Sequence, residues 1–260
     1  MKTEIAIDIR AQPDDETCGP TCLHSLYRHY GYGRASLKQI IKEIHRLDNG
    51  GTLAEILGLH ALKRGFDVTI YTYHLQMFDP TWFADDGLAH DAADLALKLE
   101  RQSKHKRGDR RFRVATRAFR EYLSRGGQVR MQTLTPALIR HHLAEGVPII
   151  AGLSSTYLYR TARQRRGVGN DDIRGEAEGH FVMLVGYDSR SREVLVADPL
   201  DPNPPFHTAK YRLNVDRLVN AILLGALTYD ANLLVIRPKQ GARGLRRPRR
   251  PGRTRTRRKR

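Results

Sequence analysis

Cys18, His180 and Asp198 are the residues of this chain whose types and settings could form an activated sulfur nucleophile, since a thiol, an imidazole and a carboxylate are its parts. Cys18 stands in the run Gln12-Pro13-Asp14-Asp15-Glu16-Thr17-Cys18-Gly19-Pro20-Thr21-Cys22-Leu23. After it, Cys22, Leu23, Leu26, Tyr27 and Tyr30 recur at helical spacing, which predicts a helix over 18–30 ended by Gly31. Thr17 suits the N-cap, and Pro20 is tolerated in the first turn, where its missing N–H has no intrahelical partner. A helix N-terminus carries partial positive charge and so favours a thiolate. Asp14, Asp15 and Glu16 oppose that charge if they point inward, so the thiol needs an imidazolium partner as well.

The chain has eleven histidines. His24, His29, His45 and His60 fall inside helical patterns, and His141 and His142 are adjacent on a helix, so only one of that pair can face a given site. His180 differs because it follows Gly179 and heads the apolar run Phe181-Val182-Met183-Leu184-Val185-Gly186-Tyr187. Asp198 ends the next apolar run, and an antiparallel hairpin brings the start of one strand beside the end of the next. In that geometry the carboxylate orients the imidazole. Gln12 offers a side-chain amide to a substrate oxyanion, alongside the Cys18 backbone N–H. Gly19 and Gly179 allow close approach of a substrate backbone. Ser154 and Ser155 are candidates to line the cleft, although hydroxyls at a strand end often bond locally. Cys22 shares a helix face with Cys18, but no second cysteine pair exists and no histidine has the usual zinc spacing. It reads as a small buried core residue, and neither a metal nor a cofactor is expected.

Gln12, Cys18-Gly19-Pro20, His180, Gly186-Tyr187 and Asp198-Pro199 together resemble the motif of the papain-like cysteine peptidases of the C39 group. The resemblance covers about residues 8 to 237. It implies Cys18 as nucleophile, His180 as general base and then acid, Asp198 as orienting group and Gln12 as oxyanion donor. The implied reaction is amide cleavage through a thioester. Transporter-linked members cut leader peptides after a double glycine, but no transporter or nucleotide-binding motif follows here. The length of 79–126 and the run Gly152 to Tyr159 look more like a free-standing subgroup found beside ATP-grasp ligases. That likeness implies a peptide or isopeptide substrate and an ATP-grasp partner pathway.

These groups have to be positioned by a core. Ile5, Ile7 and Ile9 alternate as a strand does. Helices are expected at 36–47, 52–64, 91–101, 112–125 and 135–145, and strands at 68–73, 147–153, 181–187, 193–197, 207–212 and 232–237. A short helix is expected from Val215, and 156–178 reads as a long polar connection of the kind that serves as a lid or binding loop. Helices dominate the first half and an antiparallel meander the second. This is the α+β pattern, here of the papain-like kind with the nucleophile at a helix N-terminus.

Composition limits the alternatives. Two cysteines make no disulfide framework, the N-terminus carries acids where a signal peptide needs an apolar run, and no apolar stretch approaches a membrane span. A cytoplasmic protein is expected. The net charge is +17, but residues 239–260 hold twelve Lys or Arg and no acid, and taking those twelve away leaves +5 for the body. The domains read as a peptidase body over 1–238 and a disordered basic tail over 239–260. Such a tail suits nucleic acid or an acidic protein through counterion release, or serves only as a solubilising extension. Arg160, Arg163, Arg165 and Arg166 would favour acidic substrates if they overhung the cleft. A cysteine peptidase or amidase is the leading function. A transferase that resolves the same acyl-enzyme with an amine, and a non-enzymatic peptide-binding adaptor, are the alternatives.

Overall fold

In the computed structural model, residues 2–47, 50–106, 110–165, 167–242 and 244–249 are described. They form, in order, β1 (Lys2–Glu4), α1 (Cys18–His29), α2 (Leu37–Glu43), α3 (Ala54–Leu62), β2 (Phe66–Thr72), α4 (Ala92–His105), α5 (Arg110–Ser124), β3 (Gln128–Arg130), α6 (Pro136–Ala144), β4 (Ile149–Ser154), α7 (Ser155–Tyr159), β5 (Gln164–Arg165), β6 (Gly169–Asn170), β7 (Gly179–Asp188), β8 (Glu193–Ala197), β9 (Lys210–Asn214), α8 (Val215–Leu224) and β10 (Asn232–Pro238). The fold class is α+β with a mainly antiparallel sheet, as the segregation of helices and strands predicts.

The sheet runs β3-β2-β10-β4-β7-β8-β9, with β1 pairing to β7. Two of its strands, β4 and β7, are continuous apolar runs because both faces are covered: every residue of β4 is buried, and so is His180 to Tyr187 of β7. Helices α1 and α6 pack on β7, α3 packs on β2 and β10, and α8 packs on β4. The meander β7-β8-β9 is as expected, but the last strand returns to the middle of the sheet between β2 and β4.

Three local features differ from the sequence expectation. The first strand covers Lys2–Glu4, while Ile5 and Ile7 carry the buried alternation onward and the Ile5 N–H donates to Val185 O (2.7 Å). The short strand β3 pairs parallel to β2 and has no alternation to announce it. The Tyr122 hydroxyl holds it there, 2.8 Å from Val68 O and 2.9 Å from Gln128 O. The connection over 156–178 is structured: it contains most of α7 and the small hairpin β5–β6, which a bridge from Gln164 to Glu176 ties down. After β10, the Lys239 N–H donates to Gly65 O (3.3 Å), the Arg246 N–H donates to Tyr30 O (2.8 Å), and Leu245 packs against the core. The disorder expected of the basic tail falls, over 250–260, on residues outside those described. Among the described residues no helix is long and apolar enough to cross a membrane.

Gly152 in β4 allows a close backbone approach that matters for the site. A Cβ there would lie 2.3 Å from the Asp230 carbonyl oxygen and 3.0 Å from the Phe181 ring. Gly152→Ala is expected to cost about 3 kcal/mol by pushing the turn that carries Asp230 off the sheet. A lowered urea midpoint with an unchanged slope would verify this.

Candidate active site

Cys18 is the first residue of α1 and 7% exposed. Thr17 occupies the N-cap position but does not cap the helix with its side chain. Its hydroxyl instead donates to Asp14 O (3.1 Å) and closes the preceding turn. The first-turn N–H groups beside the sulfur are therefore not consumed by the residue expected to take them. Two of the three preceding acids are paired by Arg46, with Asp14 at 3.3 Å and Glu16 at 3.5 Å. Asp15 and Glu16 both lie on the lip of a cleft of about 890 Å³ into which Cys18 opens.

His180 and Asp198 meet as the hairpin geometry requires. Met183 pairs with Ala197, so His180 and the residue just past β8 lie on the same end of the strand pair. The register shift in this pair falls between Leu184 and Gly186, beyond the site, and leaves that relation intact. His180 Nε2 lies 2.9 Å from Asp198 Oδ1, with the carboxylate fully buried. The Cys18 sulfur acts on the same imidazole as a hydrogen-bond partner and as a charge. With Nε2 engaged by Asp198, the ring presents Nδ1 to the thiol side.

Asp198 has four donors: His180 Nε2, the Leu200 N–H (3.0 Å), and the hydroxyls of Tyr159 and Tyr211, each 2.7 Å from Oδ2. Burial by itself would raise this carboxyl. The His180 charge and the hydrogen bonds from His180, Tyr211 and Tyr159 outweigh it and hold Asp198 below the usual carboxylate range. Burial likewise disfavours charge on His180, but the charges of Asp198 and Cys18, and hydrogen bonds to both, raise it above the usual imidazole range.

Gln12 is tied to the same corner. Its backbone N–H donates to Pro199 O (2.8 Å), one residue past Asp198, and its side-chain Nε2 donates to Asp14 O (2.9 Å). Oε1 is buried without a partner.

The remaining candidates divide. Gly179 lines the cleft, and a Cβ on it would overlap Asp230 Oδ2 at 1.6 Å, so glycine is required there by the acid packed behind it. Gly19 instead faces inward, where a Cβ would meet Thr52, Leu57 and Phe181 within 3.2 Å. Ser154 caps α7 through the Tyr157 N–H (3.4 Å) and Ser155 donates to Glu178 O (3.1 Å). Cys22 is fully buried with its sulfur 3.4 Å from Phe181 O, and burial pushes its thiol well up. Of the loop arginines, Arg165 lines the cleft, Arg163 is spent on the Asp172 and Ile173 carbonyls, and Arg166 lies outside the described residues.

Sequence reasoning did not find Tyr159, Tyr211, Asp230 or Arg111. Asp230 lies on the cleft wall beside Gly179, and burial pushes it up to about 7 against the opposing pull of Arg111, Thr228 and His180. Tyr211 gives no sequence signal at all, because it reads as an ordinary inward residue of an alternating strand. The trio His141, His142 and Glu145 could bring three ligand atoms together, but His142 and Glu145 already bond Arg237 there, a cation that a metal would have to displace.

Residues 108–216, which include His180 and Asp198, match the family model described as the Peptidase C39 like family. No curated protein matches the chain. Among solved structures, a putative C39-like peptidase from Bacillus anthracis aligns at 10% identity with a TM-score of 0.42, covering 92% of this chain and 99% of that one. Xylellain, a cysteine protease from Xylella fastidiosa, aligns at 13% identity with a TM-score of 0.39, covering 92% and 86%.

The shifts of His180 and Asp198 give the buried pair a defined pH range. Asp198 is lowered, so its contribution is present above the ordinary carboxylate value near 3.9 and is lost as pH falls through its folded value. His180 is raised, so its contribution is complete below the ordinary imidazole value near 6.5 and is lost as pH rises through its folded value. Asp198→Ala is therefore expected to lose about 3 kcal/mol at pH 5–6. In urea titrations at several pH values the deficit should narrow below about pH 4, as the wild type loses its own pair.

Proposed function

We propose that this chain is a C39-like, papain-like cysteine peptidase in which Cys18, His180 and Asp198 form the catalytic triad, with Gln12 and the Cys18 N–H as oxyanion donors. One observation carries the reading: His180 lies between the Cys18 sulfur and a buried Asp198 carboxylate, at the edge of an open cleft.

The chemistry follows from the geometry. His180 takes the thiol proton, and the sulfur attacks the carbonyl carbon of a peptide or isopeptide bond presented along the cleft. The negative charge that develops on the carbonyl oxygen is met by the N–H of Cys18 at the start of α1 and by the amide of Gln12. The Gln12 amide has two hydrogens, of which the Asp14 carbonyl uses one. His180, now protonated, gives its proton to the leaving amine as the C–N bond breaks, leaving a thioester on Cys18. Water then attacks the thioester while His180 again acts as base, and the acid product leaves with the thiol restored. Asp198 holds the ring in orientation throughout and balances its charge. Water is the acyl acceptor in this proposal, and an amine in its place is the alternative.

The test is a peptide-library assay read by mass spectrometry, run with and without added amines. Cys18→Ala and His180→Ala should each lower cleavage by at least about 10⁴-fold with the fold retained by circular dichroism. Iodoacetamide should label Cys18 well before the buried Cys22. Equal labelling of both, only after denaturation, would refute Cys18 as nucleophile, and an amine adduct in place of the free acid would reassign the second half-reaction to transfer.

A further inference from the structure

We propose that Tyr159 and Tyr211 are positioning residues of this triad: their two hydroxyls keep Asp198 an anion of fixed orientation, so that it anchors the His180 proton without accepting it. The proposal rests on the triad reading above and extends it to two residues that touch neither substrate nor sulfur.

A carboxylate only accepts hydrogen bonds, and a fully buried one has no water to supply donors. Asp198 is fully buried, and its two oxygens are divided between two tasks. Oδ1 faces His180 Nε2 and the Leu200 N–H, and Oδ2 faces the two phenols. The phenols come from separate elements, Tyr159 from the end of α7 and Tyr211 from β9, and each is fixed by its own surroundings. Tyr211 stacks on Phe206 with centroids 3.7 Å apart and planes within 7°. The Tyr159 ring lies tilted, 6.0 Å from the His180 ring.

Both hydroxyls stay protonated and available to donate to Oδ2, because burial and then the Asp198 charge raise them far above the usual phenol range. Other groups also face this cluster. Cys18 and Cys22 of α1 act on it, Arg217 of α8 lies near Tyr211 and bonds the Leu158 carbonyl, and Asp230 and Glu178 face His180 from the cleft. None of these other groups donates a hydrogen bond to Oδ2, whereas both tyrosines do.

Without the two hydroxyls, Oδ2 would be a buried anionic oxygen lacking these donors, and Asp198 would take a proton at a higher pH. A neutral Asp198 no longer supports the imidazolium, and the thiolate it balances reverts to the thiol. Loss of the phenols should therefore appear at the sulfur as a change in pH dependence.

The experiment measures the rate of Cys18 alkylation by iodoacetamide from pH 4 to 8 in the full chain. Wild type, Tyr159→Phe, Tyr211→Phe, the double variant and His180→Asn are compared, with thermal melts and Cys22 labelling as measures of folding. The acid limb of the Cys18 profile should move up by about one pH unit per hydroxyl removed, with the rate at pH 8 little changed. A double variant that is folded but keeps the wild-type profile would overturn the proposal, and so would a uniform fall in rate at every pH. If the double variant does not fold, the single variants decide, since each retains its ring and one hydroxyl on Oδ2. His180→Asn separates the two readings. If it leaves acid-side labelling intact, the triad itself fails; if it abolishes that labelling while the phenylalanine variants do not shift it, only the tyrosines are dismissed.

Discussion

The ion pair between His180 and Asp198, buried where no water can compensate for a mistake, is the interaction around which this protein is organised. Burying a carboxylate is costly unless every lone pair finds a donor. The chain meets that demand from four places: β7 supplies the imidazole, the turn after β8 the Leu200 N–H, α7 one phenol and β9 the other. Moving any of these elements would leave Oδ1 or Oδ2 short of a partner. The geometry of the proposed triad and local stability therefore depend on the same contacts.

The surrounding architecture can be understood through that demand. β7 can pass through the middle of the fold because β4 and β8 satisfy its backbone on both sides. α1 packs on β7, which places Cys18 at the end of the strand where His180 begins. The Gln12 backbone is bonded to Pro199, so the segment before Cys18 and the segment after Asp198 close on each other. Gly152 and Gly179 allow the turn carrying Asp230 to press against the sheet, which puts a second buried acid on the cleft wall. The charges of Asp230 and His180 act on each other there.

Much of this was legible in the chain because the signals are local. The heptapeptide-scale pattern after Cys18 specifies a helix start, and the apolar runs at 181–187 and 193–197 specify adjacent buried strands. The turn between those runs is short enough that a hairpin is the natural connection, and the hairpin fixes His180 beside Asp198. The elements that escaped are those whose evidence is not local. β3 is three residues long and is held by a tyrosine hydroxyl from a neighbouring helix. The central place of β10 depends on which edges the other strands leave open. The hydroxyl of Thr17 had two acceptable uses, an N-cap or a turn, and only the path of 14–17 selected the turn.

Residue type and strand alternation, which are properties of the chain alone, were enough to single out Cys18, His180 and Asp198 as candidates. The environment of those groups came only with the packed fold. Tyr159 and Tyr211 lie 52 residues apart in sequence and meet on one oxygen atom. Gly19, Ser154 and Ser155 turned out to be used for packing and local bonds, and Asp230 came to the cleft from near the end of the chain. Donor and acceptor satisfaction at a buried charge is a property of the whole arrangement in space, and no pattern along the chain encodes it.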